Sequence, residues 1–281
     1  MFRSLDHLIL MTRDLPSASS DYSKVFGCEP IWRGVHDGLG TENAIFSFNN
    51  TYLEILAPRT KGAGADFVNS VIDSDGEGLA GLAFETSDIG RLKKELSERK
   101  VPTRKIVTGV GLDSQQDKSR TWQNLFFSRD LTRGLFIFAI QHESEKLQKS
   151  EVSRSTIDRL DHVVVHTNDP DGFVSLYRDK FGIKLSLDQT VEKWGGRMLF
   201  FRLNRTTIEV IGKIEKDGIP KDSFWGLAWS VSDLKAVHRR LTDVGVEVSN
   251  IRDGRKPRTI VCTVKSHTRG VPTLLIEHLD C

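Results

Sequence analysis

Leu5-Asp6-His7-Leu8-Ile9-Leu10 returns as Leu160-Asp161-His162-Val163-Val164-Val165, displaced by 155 residues. At the same displacement Tyr22 falls on Tyr177, Phe26-Gly27 on Phe181-Gly182 and Glu54 on Glu209. A gap-free correspondence of residues 5–57 with 160–212 marks an internal duplication, and a repeat on this scale governs how the rest of the chain is read.

Within each copy the pattern is strand, helix, further strands. Leu5–Met11 is an apolar run of strand length. Asp14 is placed as a helix N-cap, with Pro16 in the first turn, Leu15, Ala18, Tyr22 and Val25 at helical spacing, and Gly27 as the stop. Ala44–Phe48 and Thr51–Ala57 follow as strands joined by Asn49-Asn50, a tight-turn signal. The second copy repeats this through Asp169-Pro170, Phe173, Tyr177 and Gly182, closing with strands Arg197–Leu203 and Thr206–Ile211.

Two fainter segments repeat the scheme. One runs from strand Leu79–Ser87 through Asp88 to helix Ile89–Arg99. The other runs from Trp225–Ser232 through Asp233 to a helix face marked by Leu234, Val237, Leu241 and Val244. Their closing strands match as well, Gly134–His142 against Gly270–His278. The prediction is four βαβββ modules in two halves, 1–142 and 158–281, with the charged stretch 143–157 as linker.

Composition narrows the class. With 40 basic and 38 acidic residues scattered along 281 positions, nothing attracts a nucleic acid. No apolar run reaches the ~18 residues of a membrane span, and Met1–His7 lacks the apolar core of a signal peptide. Cys28, Cys262 and Cys281 have no metal-ligand spacing and suit a reducing compartment. The expectation is a cytoplasmic protein, a candidate homodimer, that meets a small molecule and neither nucleic acid nor membrane.

Strand alternation selects the positions able to do chemistry. Leu53 and Ile55 belong under a helix, which leaves Tyr52 and Glu54 on the open face, and Glu209 sits likewise between Ile208 and Val210. A carboxylate among apolar strand residues is costly to bury unless paired or metal-bound. Aligning the modules on Asp14, Asp88, Asp169 and Asp233 gives His7, Gly81, His162 and Gly226 on the first strands. Aligning the last strands gives Glu54, Gln141, Glu209 and Glu277. His7, Glu54, Gln141, His162, Glu209 and Glu277 form a nitrogen–oxygen set suited to Zn, Mn, Fe or Ni, with Glu54 and Glu209 as general bases and no organic cofactor expected. The stretch His36–Asn43 reads as a loop in which Gly38 and Gly40 permit close approach and His36, Thr41 and Asn43, with Tyr52, contact substrate. The second copy has Trp194-Gly195-Gly196-Arg197 there and lacks the polar set.

Four βαβββ modules with His on the first strand and Glu on the last resemble the vicinal oxygen chelate superfamily, which includes glyoxalase I, extradiol dioxygenases, fosfomycin-resistance proteins and methylmalonyl-CoA epimerases. The first half is most similar to glyoxalase-like domain proteins, through Leu5-Asp6-His7, His36…Gly40-Thr41-Glu42-Asn43 and Tyr52-Leu53-Glu54-Ile55-Leu56. The resemblance implies an α+β fold in which the modules form two U-shaped mixed β-sheets flanked by helices, each with its ligand on the concave face. It also implies a divalent metal acting as Lewis acid toward two neighbouring oxygens of a small metabolite, in a lyase, isomerase or dioxygenase. Gly81 and Gly226 stand where the resemblance implies a further His or Gln, which weighs against an extradiol dioxygenase. His36, His142, His166 and His278 are candidate substitutes, although alternation turns His142 and His278 away from Gln141 and Glu277. The competing expectation is a metal-free binding or sequestering protein of the same fold, its pocket drawn from aromatic strand residues such as Tyr52, Trp122, Phe136 and Phe138.

Overall fold

Each module opens with strand, aspartate and helix, because the same capping contact recurs four times. In the computed structural model, which describes residues 1–114, 118–145, 147–151, 153–191, 196–212 and 218–279, the side chains of Asp14, Asp88, Asp169 and Asp233 accept from the backbone N–H of Ser17, Arg91, Gly172 and Ala236. Each cap satisfies one of the amides that a helix start leaves open, which fixes where the chain turns from strand to helix.

The first half runs β1 (Ser4–Met11), α1 (Leu15–Phe26), β2 (Trp32–His36), β3 (Thr41–Ser47), β4 (Tyr52–Pro58), α2 (Ala63–Asp75), β5 (Gly78–Glu85), α3 (Ile89–Glu98), β6 (Ile106–Asp113), β7 (Ser119–Phe126) and β8 (Phe136–His142). Helix α1 ends where expected: Gly27 takes a left-handed φ of 77° and its N–H reaches the Ser23 carbonyl. The second half runs β9 (Arg159–Thr167), α4 (Pro170–Val174) continuing into a π-helical stretch (Ser175–Lys180), β10 (Lys184–Val191), β11 (Gly196–Leu203), β12 (Thr206–Gly212), β13 (Asp222–Ser230), α5 (Leu234–Asp243), β14 (Arg252–Asp253), β15 (Thr259–Val264) and β16 (Thr273–His278). Among the described residues no helix is long and apolar enough to cross a membrane.

The halves form two eight-stranded mixed sheets. The second stays open, in the order β10-β11-β12-β9-β13-β16-β15-β14. The first goes further than the expected U and closes into a barrel, β1-β4-β3-β2-β6-β7-β8-β5, through the pairs Gly34–Asp113 and Val35–Leu112. The stretch read as a loop at His36–Asn43 is therefore the end of β2, a turn at Asp37–Gly40 and the start of β3, with His36 paired to Thr41. Its polar residues sit at ladder positions because the hairpin supplies their backbone partners. The compared turn at Trp194-Gly195 lies outside the described residues, as do Lys146 and Val152 of the expected linker.

One continuous core joins the helix-covered faces of both sheets. It contains Tyr22 and Phe26 of α1, Leu53 and Ile55 of β4, Phe173 of α4, Phe201 of β11 and Trp229 of β13. Phe26 and Phe48 pack on Trp229 with centroids 5.1 and 4.6 Å away. Asn50 clasps the second copy, donating to the Leu160 carbonyl at 2.8 Å and accepting from the Leu160 N–H at 3.0 Å. A separate apolar cluster lies inside the barrel. There Val68, Val71 and Ile72 of α2 meet Ile9 and Met11 of β1 and Phe138 and Ile140 of β8. Helix α2 thus plugs part of the barrel and leaves the rest to polar side chains.

Candidate functional site

The interior polar cluster begins with a β-bulge. Along β1–β5, Leu5 pairs with Phe84 but His7 pairs with Ala83, so Asp6 is an extra residue and faces the interior beside His7 instead of alternating away. The same slip recurs on β9 against β13, where Ala228 pairs with His162 and Trp229 with Leu160, freeing Asp161.

In the first half Asp6 Oδ1 lies 2.7 Å from His7 Nδ1, and Asp6 Oδ2 lies 2.9 Å from His142 Nε2. Burial pushes the Asp6 pKa up. The hydrogen bonds from His142 and His7, with their charge, outweigh that and hold it well below the ordinary carboxylate range. An ionised carboxylate only accepts, so both imidazoles donate to it. Arg120 Nη2 donates at 3.3 Å to His142 Nδ1, and this completes the neutral Nε2–H tautomer of His142. On the other side, His7 Nε2 faces Glu54 Oε2 at 3.4 Å, and Asn43 Nδ2 donates to Glu54 Oε1 at 2.6 Å. The result is a chain Arg120···His142···Asp6···His7···Glu54···Asn43 across the barrel.

Around this chain Tyr52 stacks on His7 at 4.5 Å, and Phe138 meets the His7 ring edge-on at 5.6 Å. Burial, with Asp6 and Glu54 adding negative charge nearby, raises the Tyr52 hydroxyl well above its ordinary value, while Arg120 opposes that. His36 is buried, sits 2.9 Å from Thr41 Oγ1 and meets the Trp122 ring at 5.8 Å. Burial lowers its pKa and the Glu54 charge partly restores it. The Arg120 guanidinium lies over Trp32 at 5.7 Å. Room for the two indoles comes from glycines: a Cβ on Gly34 would lie 2.2 Å from Trp32 Nε1, and one on Gly109 2.3 Å from Trp122 Nε1.

The second half repeats the chain in shorter form. Asp161 lies 2.8 Å from His162 Nδ1 and 2.7 Å from His278 Nε2, and His162 Nε2 lies 3.3 Å from Glu209 Oε2. Burial raises the Glu209 pKa, against the charges of His162 and Arg255. Asp161, like Asp6, is held low by the hydrogen bonds from its two histidines, which override burial.

His7, Glu54, Asn43, Tyr52, His36 and Thr41 are thus brought to one interior, and His162 and Glu209 to its counterpart. Gln141 and Glu277 are not. Gln141 Oε1 accepts from the Ile89 N–H at 2.7 Å and Glu277 Oε2 from the Leu234 N–H at 2.7 Å, each serving a helix start on the outer face. The expected ligand roles of Gln141 and Glu277 fail for this reason. Alternation does separate them from His142 and His278, but it is the histidines that point inward. Asp6, Asp161 and Arg120 were missed, and His142 and His278 were named as candidates but turned outward by alternation. Asp6 and Asp161 stand inside the repeated Leu-Asp-His, and the terminal histidines are repeated too, so recurrence alone marks them.

A divalent ion needs at least three protein donors in the arrangements expected of this chemistry. Among the described residues no three His, Cys, Asp or Glu side chains are arranged to hold one ion, because the interior groups are spent on one another. His7 Nε2 and Glu54 supply two, and Asp6 is spent on the two imidazoles. The Gly81 position is filled, since a Cβ there would lie 2.7 Å from Phe136 Cδ1. On Gly226 a Cβ would lie 2.6 Å from the Pro272 carbonyl oxygen. The donor set does not fit a resident metal.

Residues 5–158 match the model of a glyoxalase-like domain, and residues 161–263 match that of the glyoxalase/bleomycin resistance protein/dioxygenase superfamily. The chain belongs to this superfamily and carries two of its domains. A hypothetical protein from Staphylococcus aureus shares the fold at 15% identity and a TM-score of 0.67, with 98% of this chain and 99% of that one covered. A 4-hydroxymandelate synthase variant from Streptomyces coelicolor is similar at 15% identity and a TM-score of 0.67, with 100% and 94% covered. A xylose isomerase-like TIM barrel/4-hydroxyphenylpyruvate dioxygenase fusion protein matches at 11% identity and a TM-score of 0.65, over 100% of this chain and 49% of its own. No curated protein matches by sequence.

Proposed function

We propose that the first half acts on a small oxygenated metabolite by acid–base chemistry of lyase or isomerase type, with Glu54 and His7 exchanging a proton with it inside the barrel. One observation carries this reading. His7 Nε2 is buried without a hydrogen-bond partner, 3.4 Å from Glu54 Oε2, while its Nδ1 is tied to Asp6. A carboxylate on Nδ1 orients the ring and supports charge on it, which leaves Nε2 free to take or return a proton. Glu54, held by Asn43, is the second proton carrier on the same space. Tyr52, stacked on the imidazole and kept protonated by burial beside Asp6, borders the same space.

The partnerless His7 Nε2 facing a carboxylate also favours a second reading, a metal-dependent enzyme in which His7 and Glu54 are two ligands of an ion completed by substrate. Equilibrium dialysis of chelator-treated protein against Zn, Mn, Fe and Ni, with metal analysis, separates the two. Acid–base chemistry without a resident ion predicts well under one ion per chain for every metal. One tightly held ion per chain, lost in both His7→Ala and Glu54→Gln, would overturn it. The dioxygenase version is the weaker form of the metal reading, because among the described residues His7 is the one imidazole within ion-pair distance of Glu54 and His142 lies beyond Asp6.

A further inference from the structure

The Arg120 side chain is the least explained group in the barrel. It is 8% exposed, and no carboxylate among the described residues pairs with it. Its polar contact is a neutral imidazole nitrogen, and its Nε–H is buried with no acceptor. A buried guanidinium without an anion is costly, and proteins keep one where a ligand supplies the charge. Three more buried polar atoms on the interior residues lack partners: His7 Nε2, Asn43 Oδ1 and Asn124 Oδ1. They lie on β1, β3 and β7, strands of the closed barrel, and Asn124 pairs with Ile140 two rungs from the Trp122–His142 pair, on the same face of β7. Two acceptors, one cationic donor and one imidazole nitrogen left open together describe a ligand with both an anionic and a protic end.

We infer that the barrel of the first half binds a small hydroxy- or oxo-carboxylate, its carboxylate held by the Arg120 guanidinium over Trp32 and its carbon-bound oxygen placed between Tyr52, His7 and Glu54. The inference rests on the acid–base reading for the position of the reacting end, but its anion site stands on Arg120 alone. Arg120 and Glu54 sit at opposite ends of one hydrogen-bonded chain, so a short ligand spans from charge to proton carrier. The guanidinium presents its free Nε–H to carboxylate oxygens, a charge-assisted contact of the strong kind. The second half carries a different residue at the matching register. Trp122 pairs with His142 and Thr259 with His278, so the place two residues earlier, Arg120 in the first half, is Pro257 in the second.

The test is titration of the full chain with glycolate and pyruvate, with inorganic phosphate as the alternative anion and ethylene glycol as the uncharged control. Tryptophan fluorescence and the rise in Tm are the readouts. Wild type should saturate with glycolate or pyruvate and ignore ethylene glycol. Arg120→Gln should weaken binding 30-fold or more, on the order of 2 kcal/mol for a lost charge-assisted contact, and Arg120→Lys should recover part of it. Circular dichroism confirms that each variant folds. Wild type should exchange deuterium at the ligand's carbon and Glu54→Gln should not, so a wild-type protein that binds the carboxylate without exchange fails the proton-transfer reading while the anion site at Arg120 stands. Equal affinity in wild type and folded Arg120→Gln, no saturable response to either carboxylate, or phosphate binding in preference to both would overturn the carboxylate assignment.

Discussion

The two halves carry the same four-group chain and enclose it differently. The side chains of His7 and His142 are 3% and 9% exposed, whereas their counterparts His162 and His278 are 17% and 30% exposed. Three local features account for this. In the first half β6 and β7 are long enough for β6 to reach β2 and close the barrel, whereas β14 is two residues and its sheet stays open. Helix α2 occupies residues 63–75 and fills one part of the interior, whereas only residues 213–221 separate β12 from β13. Asn43 braces Glu54, but the residue at the repeat displacement in the second copy is Met198. The chain of groups is therefore a property of the duplicated module, and the site is a property of what was built around one copy.

The sharpest way to break this comparison is to ask whether the halves are energetically separate. Trp229 belongs to the second half but packs on Phe26 and Phe48 of the first, and it is fully buried. Trp229→Ala should cost roughly 3–5 kcal/mol, as large-to-small core changes do. Because the core is continuous, the loss should appear in one urea transition reported alike by probes in both halves. Two transitions, with only the second half moved, would mean that each half stands alone and that the shared core contributes little.

A smaller effect distinguishes the chains themselves. Asp6→Ala leaves two buried imidazole N–H groups without an acceptor, and Asp161→Ala leaves two that water reaches. Unsatisfied buried donors cost about 1–3 kcal/mol each and exposed ones far less. The first change should therefore destabilise by about 3 kcal/mol and the second by about 1 kcal/mol, measured by denaturant unfolding. Equal costs would show that enclosure makes no difference to these groups.

Much of this architecture was legible in the sequence, and the reasons are specific. The four aspartate caps, the Gly27 stop and the burial of Leu53 and Ile55 depend on contacts within a few residues or on simple alternation. Strand β2 was hidden because Gly34 and Gly38 look like loop residues, although Gly34 is small so that Trp32 can lie over it. Helix α2 has no counterpart in the repeat and so gained nothing from it. At the site, His7 and Glu54 were found because their separation recurs. Asp6 was lost to strict alternation, since a bulge is defined by its partner strand and not by its own residues. Gln141 and Glu277 were favoured because a carboxyl or amide on the last strand looks like a ligand, and only the packing of α3 and α5 against that strand turns them into helix caps. Arg120 had no signal at all, being one basic residue among 40.

The smallest effect separates the halves by the sign of their pH dependence. Asp6 has a folded pKa held below its ordinary 3.8, so the stability it contributes is complete above that value and is lost as pH falls toward the depressed one. Glu209 has a folded pKa raised above its ordinary 4.5 by burial, so its contribution is complete below that value and is lost as pH rises through the raised one. Asp6→Asn should therefore flatten the acid limb of a Tm–pH profile, and Glu209→Gln should flatten the decline on the side above 4.5, each by about 2 °C. The carboxamide of the second variant keeps the shape of a protonated carboxyl, so its Tm should match wild type at the acid end and exceed it as pH rises. A Glu209→Gln protein that instead loses stability as pH rises would mean that the ionised carboxylate is favoured there, paired with His162 as a charged couple.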